Sequence, residues 1–168
     1  SGFFNYFNRN KRSLAVDLKS EAGRALVHRL VAKADIVLEN YAPGTMERLG
    51  CGYEMLSRIN PRLVYCALKG YLSGPYEKRA ALDEVAQFQS GLAYMTGPRG
   101  KPLRAGASVV DIMGGTFAAV AILAALRERD QTGKGQLVKS ALFENAVYLM
   151  STHIAGGAYN RIEHVLPM

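Results

Sequence analysis

Apolar runs of strand length alternate with segments of helical periodicity along this chain, and that alternation narrows the fold more than any other feature. DIVLEN, Asp35 to Asn40, is a short β-branched run that reads as a buried parallel strand. RLVYCAL, Arg62 to Leu68, reads as another, and Leu14 to Leu18, apolar except for Asp17, as an earlier one. Ser20 is a good helix N-cap with Glu21 in the first turn, and Leu26, Val27, Leu30 and Val31 share one face, so a helix is expected from there to about Lys33. His28 lies off that face and reads as a solvated surface histidine. Pro43 and Gly44 open a short helix ending at Gly50, and a second covers about Tyr53 to Ile59, stopped by Asn60 and Pro61. Beyond the loop KGYLSGPYEKRA, helices are expected from about Leu82 to Leu92 and, after the turn-rich TGPRGKP, from about Ile112 to Arg129. QLVKSAL reads as a strand or the start of a helix, and a last helix begins near Leu142. Strands alternating with helices in this way predict an α/β fold with a mostly parallel sheet.

The chain has 168 residues, enough for one domain with a core, and its 49% hydrophobic and 21% charged content excludes a disordered polymer. A formal net charge of +7 favours anionic partners, either nucleic acid or a phosphorylated cofactor. The positive residues are scattered, with one cluster at Arg9, Lys11 and Arg12, where a nucleic-acid domain would show a denser stripe. The longest apolar run, Phe117 to Leu126, is about half of the roughly 20 residues a spanning helix needs, so no membrane is expected. Cys51 and Cys66 have no metal-ligand or CxxC spacing and suggest a reducing, cytoplasmic location. The histidines are far apart, no metal site is expected, and GxSxG, P-loop and GxGxxG motifs are missing. The chain opens without an initiator Met and stops at RIEHVLPM, which reads as a piece of a longer polypeptide.

GASVVDIMGGTFAAVAILAAL, Gly106 to Leu126, carries one charge, Asp111. A carboxylate at the mouth of an apolar helix can be its N-cap. It can equally be a chemical tool, held where the positive end of a helix stabilises negative charge and able to act as a covalent nucleophile. Spacing leaves both readings open. Gly114 and Gly115 inside the helical pattern fit either close helix packing or close approach of a ligand.

NRNKRSLAVDLKS, ADIVLENYAPGTMERLG, INPRLVYCALKGYLSGPY, LDEVAQFQSGLAYMTG, GASVVDIMGGTFAAVAILAAL and RDQTGKGQLVKSAL follow one another in that order. Together they resemble the class III CoA-transferase family, which includes formyl-CoA:oxalate and carnitine CoA-transferases and the α-methylacyl-CoA racemases. ALKGYLSGPYEKRAALDEVAQ is most similar to the branch acting on mesaconyl-CoA and related diacids. The resemblance implies the Rossmann-type large α/β domain of that fold, with residues 1–168 forming part of it and the small domain and return segment absent. It implies an interlocked homodimer at full length, acyl-CoA and carboxylic acid substrates, and no permanently bound cofactor, coenzyme A being substrate and product.

The resemblance further implies that Asp111 attacks the thioester and passes through a mixed anhydride and an enzyme-bound thioester. Val16, Asp17, Leu18 and Lys19 match the segment lining the adenosine part of CoA. Asn40, Tyr41 and Ala42 match the stretch along the pantetheine arm, and Arg48 matches a basic residue near the phosphates. Read alone, Lys19 and Arg48 would be surface charges. Asp83 matches an acidic active-site neighbour and is otherwise a first-turn helix charge. Two positions depart from family members: Ala80 replaces a lysine of the oxalate enzyme, and Leu82 replaces the histidine of the racemases. The rival expectations are an acyl-CoA racemase or epimerase and a non-catalytic, truncated CoA-binding fragment.

Overall fold

The computed structural model describes residues 2–160. Its centre is a three-stranded parallel sheet in the order β1 (Ile36–Glu39), β2 (Val64–Lys69), β3 (Leu137–Ala141). Ile36 pairs with Val64 and Tyr65 with Leu137, so β2 is sheltered by a strand on each side. Its residues Val64 to Ala67 are all buried, as its continuous apolar run requires. The α/β expectation with a parallel sheet is therefore borne out, and QLVKSAL resolves into β3 followed directly by α8 (Leu142–Leu149).

Alternation of side chains along β2 sends its residues to two different layers. Tyr65 and Ala67 join a core with Val31 of α2 (Glu21–Val31), Met46 of α3 (Thr45–Arg48) and Leu56 of α4 (Tyr53–Ile59). Tyr53 meets the Tyr65 ring edge-on at 6.0 Å, and the Tyr65 hydroxyl donates to the Cys51 carbonyl. The opposite face lies under the long helix α7 (Val109–Thr132), tied to it where Ser140 Oγ donates to the Gly114 carbonyl at 2.9 Å. α5 (Asp83–Gln89), α6 (Leu92–Thr96) and α8 pack beside the first turn of α7 around Ala86, Val110 and Ala146. α1 (Gly2–Phe7) and α9 (Ser151–Tyr159) stand at the two ends of the described chain.

Several local expectations need correction. Leu14 to Leu18 forms no strand. Asp17 and Ser20 use their polar groups on the local turn instead: Ser20 Oγ donates to the Asp17 carbonyl at 2.8 Å and accepts from the Gly23 amide at 3.0 Å. That second bond is the expected N-cap of α2. His28 is half-buried, with Nε2 2.8 Å from the Gly50 carbonyl, because α3 ends against α2. The helix expected over Leu82 to Leu92 stops at Gln89, and a second helix starts at Leu92 after Gly91, whose φ of 85° is one that residues with a Cβ rarely adopt. α7 begins at Val109, about one turn before the expected start near Ile112, and runs to Thr132, with Gly133 as its C-cap at φ 74°. By length and apolar content α7 could also cross a membrane, unlike the shorter run read from sequence. Here it packs on β2, β3 and α8.

Candidate active site

Asp111 is not the N-cap of α7. The cap position is Ser108, whose side chain makes no capping bond, and Asp111 sits inside the first turn. The capping acceptor comes from another helix. Asp83 Oδ2, at the start of α5, accepts the backbone N–H of Val110 at 2.8 Å and of Asp111 at 3.2 Å. Asp83 is only 3% exposed, and a buried carboxylate must be fully satisfied to persist. Its Oδ1 accepts from Gln87 Nε2 at 2.5 Å and from Arg104 Nη2 and Nε at 3.2 and 3.3 Å. Gln87 in turn accepts the Ala105 amide at 2.8 Å, and Arg104 donates to Ser108 Oγ at 3.0 Å. The segment leading into α7 is thus pinned at Arg104, Ala105, Ser108 and Val110.

The Asp111 carboxylate is left free by this arrangement. Among the described residues it has no hydrogen-bond or ion-pair partner, and it projects into a pocket of about 500 Å³. Partial burial, reinforced by the neighbouring carboxylates Asp83 and Glu84, pushes its pKa above the usual carboxylate value, while Arg104 opposes the shift. A carboxylate with raised basicity and no partner is equipped to attack an electrophile.

The pocket opens at the carboxyl ends of the parallel strands, the usual ligand position in open α/β sheets. Its walls are Asn40 to Pro43 after β1, Leu68 to Gly70 at the end of β2, Ala80 to Leu82 before α5, and Gly114 and Gly115 on α7. The two glycines differ. A methyl on Gly114 would reach Leu142 Cδ2 at 3.5 Å and Asn145 at 3.6 Å, so Gly114 belongs to helix packing. A methyl on Gly115 would meet nothing within 4 Å, so its smallness serves space that this chain does not fill.

Of the residues singled out in the sequence, Asn40, Tyr41, Ala42 and Asp111 come together in this pocket, with Asp83 directly behind Asp111. Leu82 and Ala80 also line it. Val16, Asp17, Leu18 and Lys19 are not brought to the lining. They form the turn before α2, where Asp17 Oδ1 accepts the Lys19 amide at 2.9 Å and Leu18 packs on the core. Arg48 is exposed and donates to Thr45 Oγ1 at 3.0 Å. Of the three histidines, His28 and His153 are outside the lining, and His164 lies outside the described residues. Among the described residues no group of three or more His, Cys, Asp or Glu side chains is placed to hold a metal ion.

Sequence reasoning missed Glu39, Lys69, Gln87 and Arg104. Glu39 and Lys69 form an ion pair with a contact of 2.6 Å, one on each of two neighbouring strands. Each is a charge closing an apolar strand run, a signal that could have marked them. Asp83 and Gln87 stand four apart, on one helix face, which could have suggested a joint role.

The fold and site are an α/β unit with a free carboxylate in the first turn of a helix, beside a pocket at the strand ends. A sequence profile of CoA-transferase family III matches residues 1–164, and the chain belongs to that family. It is 46% identical over 153 residues to an acyl-CoA transferase of Fusarium pseudograminearum, covering 90% of this chain and 34% of that protein. It is 41% identical over 149 residues to the succinyl-CoA:glutarate CoA-transferase of Mus musculus, covering 88% of this chain and 34% of the relative. The succinyl-CoA–L-malate CoA-transferase beta subunit of Chloroflexus aurantiacus is 38% identical over 160 residues, covering 92% and 39%. The crystal structure of a CAIB/BAIF family protein from Brucella suis superposes with a TM-score of 0.93 at 36% identity, covering 99% of this chain and 45% of that one. The chain therefore spans between a third and a half of the length of these relatives.

Proposed function

We propose that the full-length protein transfers coenzyme A between an acyl-CoA thioester and a carboxylic acid, with small dicarboxylic acids as acyl groups. The observation that carries this reading is the Asp111 carboxylate, unpartnered, raised in basicity and open to the pocket. Its oxygen attacks the thioester carbonyl, the C–S bond breaks, and the products are an aspartyl mixed anhydride and CoA thiolate. The thiolate attacks the aspartyl carbonyl, releasing the donor acid and leaving an aspartyl-CoA thioester. The acceptor carboxylate attacks that thioester, giving a second mixed anhydride and thiolate. The thiolate takes the new acyl group, and Asp111 returns as a free carboxylate. No net proton is exchanged.

Asn40, Tyr41 and Ala42 form the wall along the pantetheine arm in this reading, and Asp83 holds Asp111 in place. Val16 to Lys19 and Arg48 contact the nucleotide end of CoA beyond the pocket. Diacid substrates are supported by the names of the succinyl-CoA-dependent relatives. Transfer is favoured over racemisation by Leu82, a hydrocarbon side chain lining the pocket where a racemase needs a proton carrier. Homodimer formation at full length is supported by α7, whose Ile112, Val120 and Leu123 are all more than half exposed. These 168 residues alone are expected to be inactive.

The test is trapping. The full-length enzyme is incubated with succinyl-CoA and hydroxylamine, and the modified residue is mapped by mass spectrometry. Hydroxamate at Asp111, with CoA exchange between succinate and a second diacid, is expected. Modification of a different carboxylate, or full activity in Asp111→Ala, refutes the role of Asp111. Incorporation of deuterium at the α-carbon of a chiral 2-methylacyl-CoA, without exchange between acids, establishes racemisation instead.

A further inference from the structure

The cation lining the pocket has no hydrogen-bond donor left for a substrate. Lys69 sits at the end of β2, and its ammonium has three N–H donors. It faces three acceptors: Glu39 Oε1 at 2.6 Å, Glu39 Oε2 at 2.8 Å and the Tyr41 carbonyl at 2.8 Å. Glu39 Oε2 also accepts the Tyr41 amide N–H at 2.9 Å. Both polar groups of the Tyr41 backbone are therefore held by one ion pair. The pair is buried, with 17% of the Lys69 side chain and 4% of the Glu39 side chain exposed. The obvious role for a pocket lysine, gripping a substrate carboxylate, would break a satisfied network and strand Glu39.

We propose that the Glu39–Lys69 pair is a positioning device that fixes the chain from Asn40 to Pro43 as a rigid wall and thereby sets the affinity for the CoA thioester, not the rate of the chemical step. The geometry fits this task. Glu39 pairs across the sheet with Ala67, two residues before Lys69, so both side chains emerge on one face at the point where the strands end. Beyond that point the β1 chain loses its ladder partner, and the ion pair supplies the missing backbone bonds to Tyr41. The wall so held carries exposed Asn40 and Tyr41, which are free to meet a ligand.

This inference rests on the transferase reading, and the experiment separates the two. Full-length wild type is compared with the double variant Glu39→Gln/Lys69→Met, which removes both charges and leaves no buried ion unpaired. Folding is checked by thermal melting. KM for succinyl-CoA and the calorimetric Kd for CoA are both expected to rise about tenfold, the affinity of one hydrogen-bonded contact, with kcat changed less than about threefold. Glu39→Ala removes the acceptor for the Tyr41 amide, leaves Lys69 beside the open pocket where water can reach it, and is read by the same criterion should the double variant not fold. A folded variant with wild-type KM and Kd, or a loss confined to kcat, overturns the proposal. Wild type that binds CoA but transfers nothing refutes the transferase reading, and the two Kd values then decide the positioning role. Wild type that does not bind CoA overturns both.

Discussion

Replacing Asp83 tests the central claim about the site, that one buried carboxylate caps the helix carrying another. In Asp83→Ala four donor groups lose their acceptor: the amides of Val110 and Asp111, Gln87 Nε2 and the Arg104 guanidinium. Val110 is fully buried, so no water replaces the bond to its amide, and leaving such a donor unpaired costs about 1–3 kcal/mol. Loss of a helix cap costs about 1 kcal/mol. The Arg104 side chain is 42% exposed and rehydrates, so its share is about 1 kcal/mol or less. These contributions overlap at the same atoms, and about 3 kcal/mol of lost stability is expected. Asp83→Asn keeps one oxygen for the amides but turns an NH2 group toward the donors Gln87 Nε2 and Arg104, and should cost about 1–2 kcal/mol, less than alanine.

The two variants separate capping from charge. Asp83 raises the Asp111 pKa, so the neutral asparagine should let that pKa fall toward the ordinary carboxylate value. In the proposed mechanism Asp111 attacks as the anion, so activity is expected to be lost as pH falls through its pKa. The acidic limb of kcat/KM should therefore move to lower pH in Asp83→Asn. Thermal melting of both variants and pH–rate profiles of the asparagine enzyme are the assays. An acidic limb that stays in place or moves to higher pH would refute the electrostatic coupling, and an Asp83→Ala protein as stable as wild type would refute the cap.

Two further outcomes follow from the same geometry. Because the folded state holds the Asp111 pKa above its unfolded value, the stability linked to this group is fully present below the unfolded pKa and lost as pH rises through the folded one. Asp111→Asn should accordingly melt higher than wild type at neutral pH, with the gain vanishing in acid; equal or lower melting at neutral pH counts against a strained carboxylate. The glycines give opposite expectations. A methyl on Gly135 would lie 2.0 Å from the Leu63 carbonyl oxygen, and Gly135→Ala should destabilise by about 1–3 kcal/mol or more. Gly115→Ala meets open space and should gain up to about 1 kcal/mol of helix stability while lowering kcat/KM for the thioester. Clear destabilisation by Gly115→Ala would mean that protein, not substrate, fills that space.

What could be read from the sequence was what neighbours in the chain decide. β1 and β2 begin as apolar runs and form parallel strands as expected, and α2 carries its cap at Ser20 and its apolar face within a few turns. β1, however, lies at the edge of the described sheet with Ile36 and Leu38 exposed and is not the buried strand its composition suggests. Features set by distant partners were not legible. Leu14 to Leu18 has the composition of a strand, but the described sheet gives it no partner, and its polar neighbours make a turn. The break at Gly91 depends on a positive φ that nothing in the surrounding periodicity demands. Glu39 and Lys69 lie 30 residues apart, and only the parallel register of β1 and β2 brings them together. Gln87 and Arg104 belong to the same category, since their value comes from the loop that enters α7.

Asp111 shows how such a gap leaves a cap and a free carboxylate indistinguishable in the sequence and how the structure separates them. A lone carboxylate before an apolar helix is ordinarily its cap, and a capping carboxylate spends its oxygens on backbone amides. Were Asp111 the cap, its oxygens would be engaged and its pKa lowered by those bonds. Asp83 takes that task from another helix, at a position buried enough to be held by Gln87 and Arg104. Asp111 then sits within the first turn of the helix, close enough to Asp83 to feel its charge, with its own oxygens unspent and turned to the pocket. Two carboxylates meet at one helix start in different states: Asp83 satisfies the backbone, and its doing so leaves the Asp111 oxygens without a partner at the pocket, as the proposed mechanism requires.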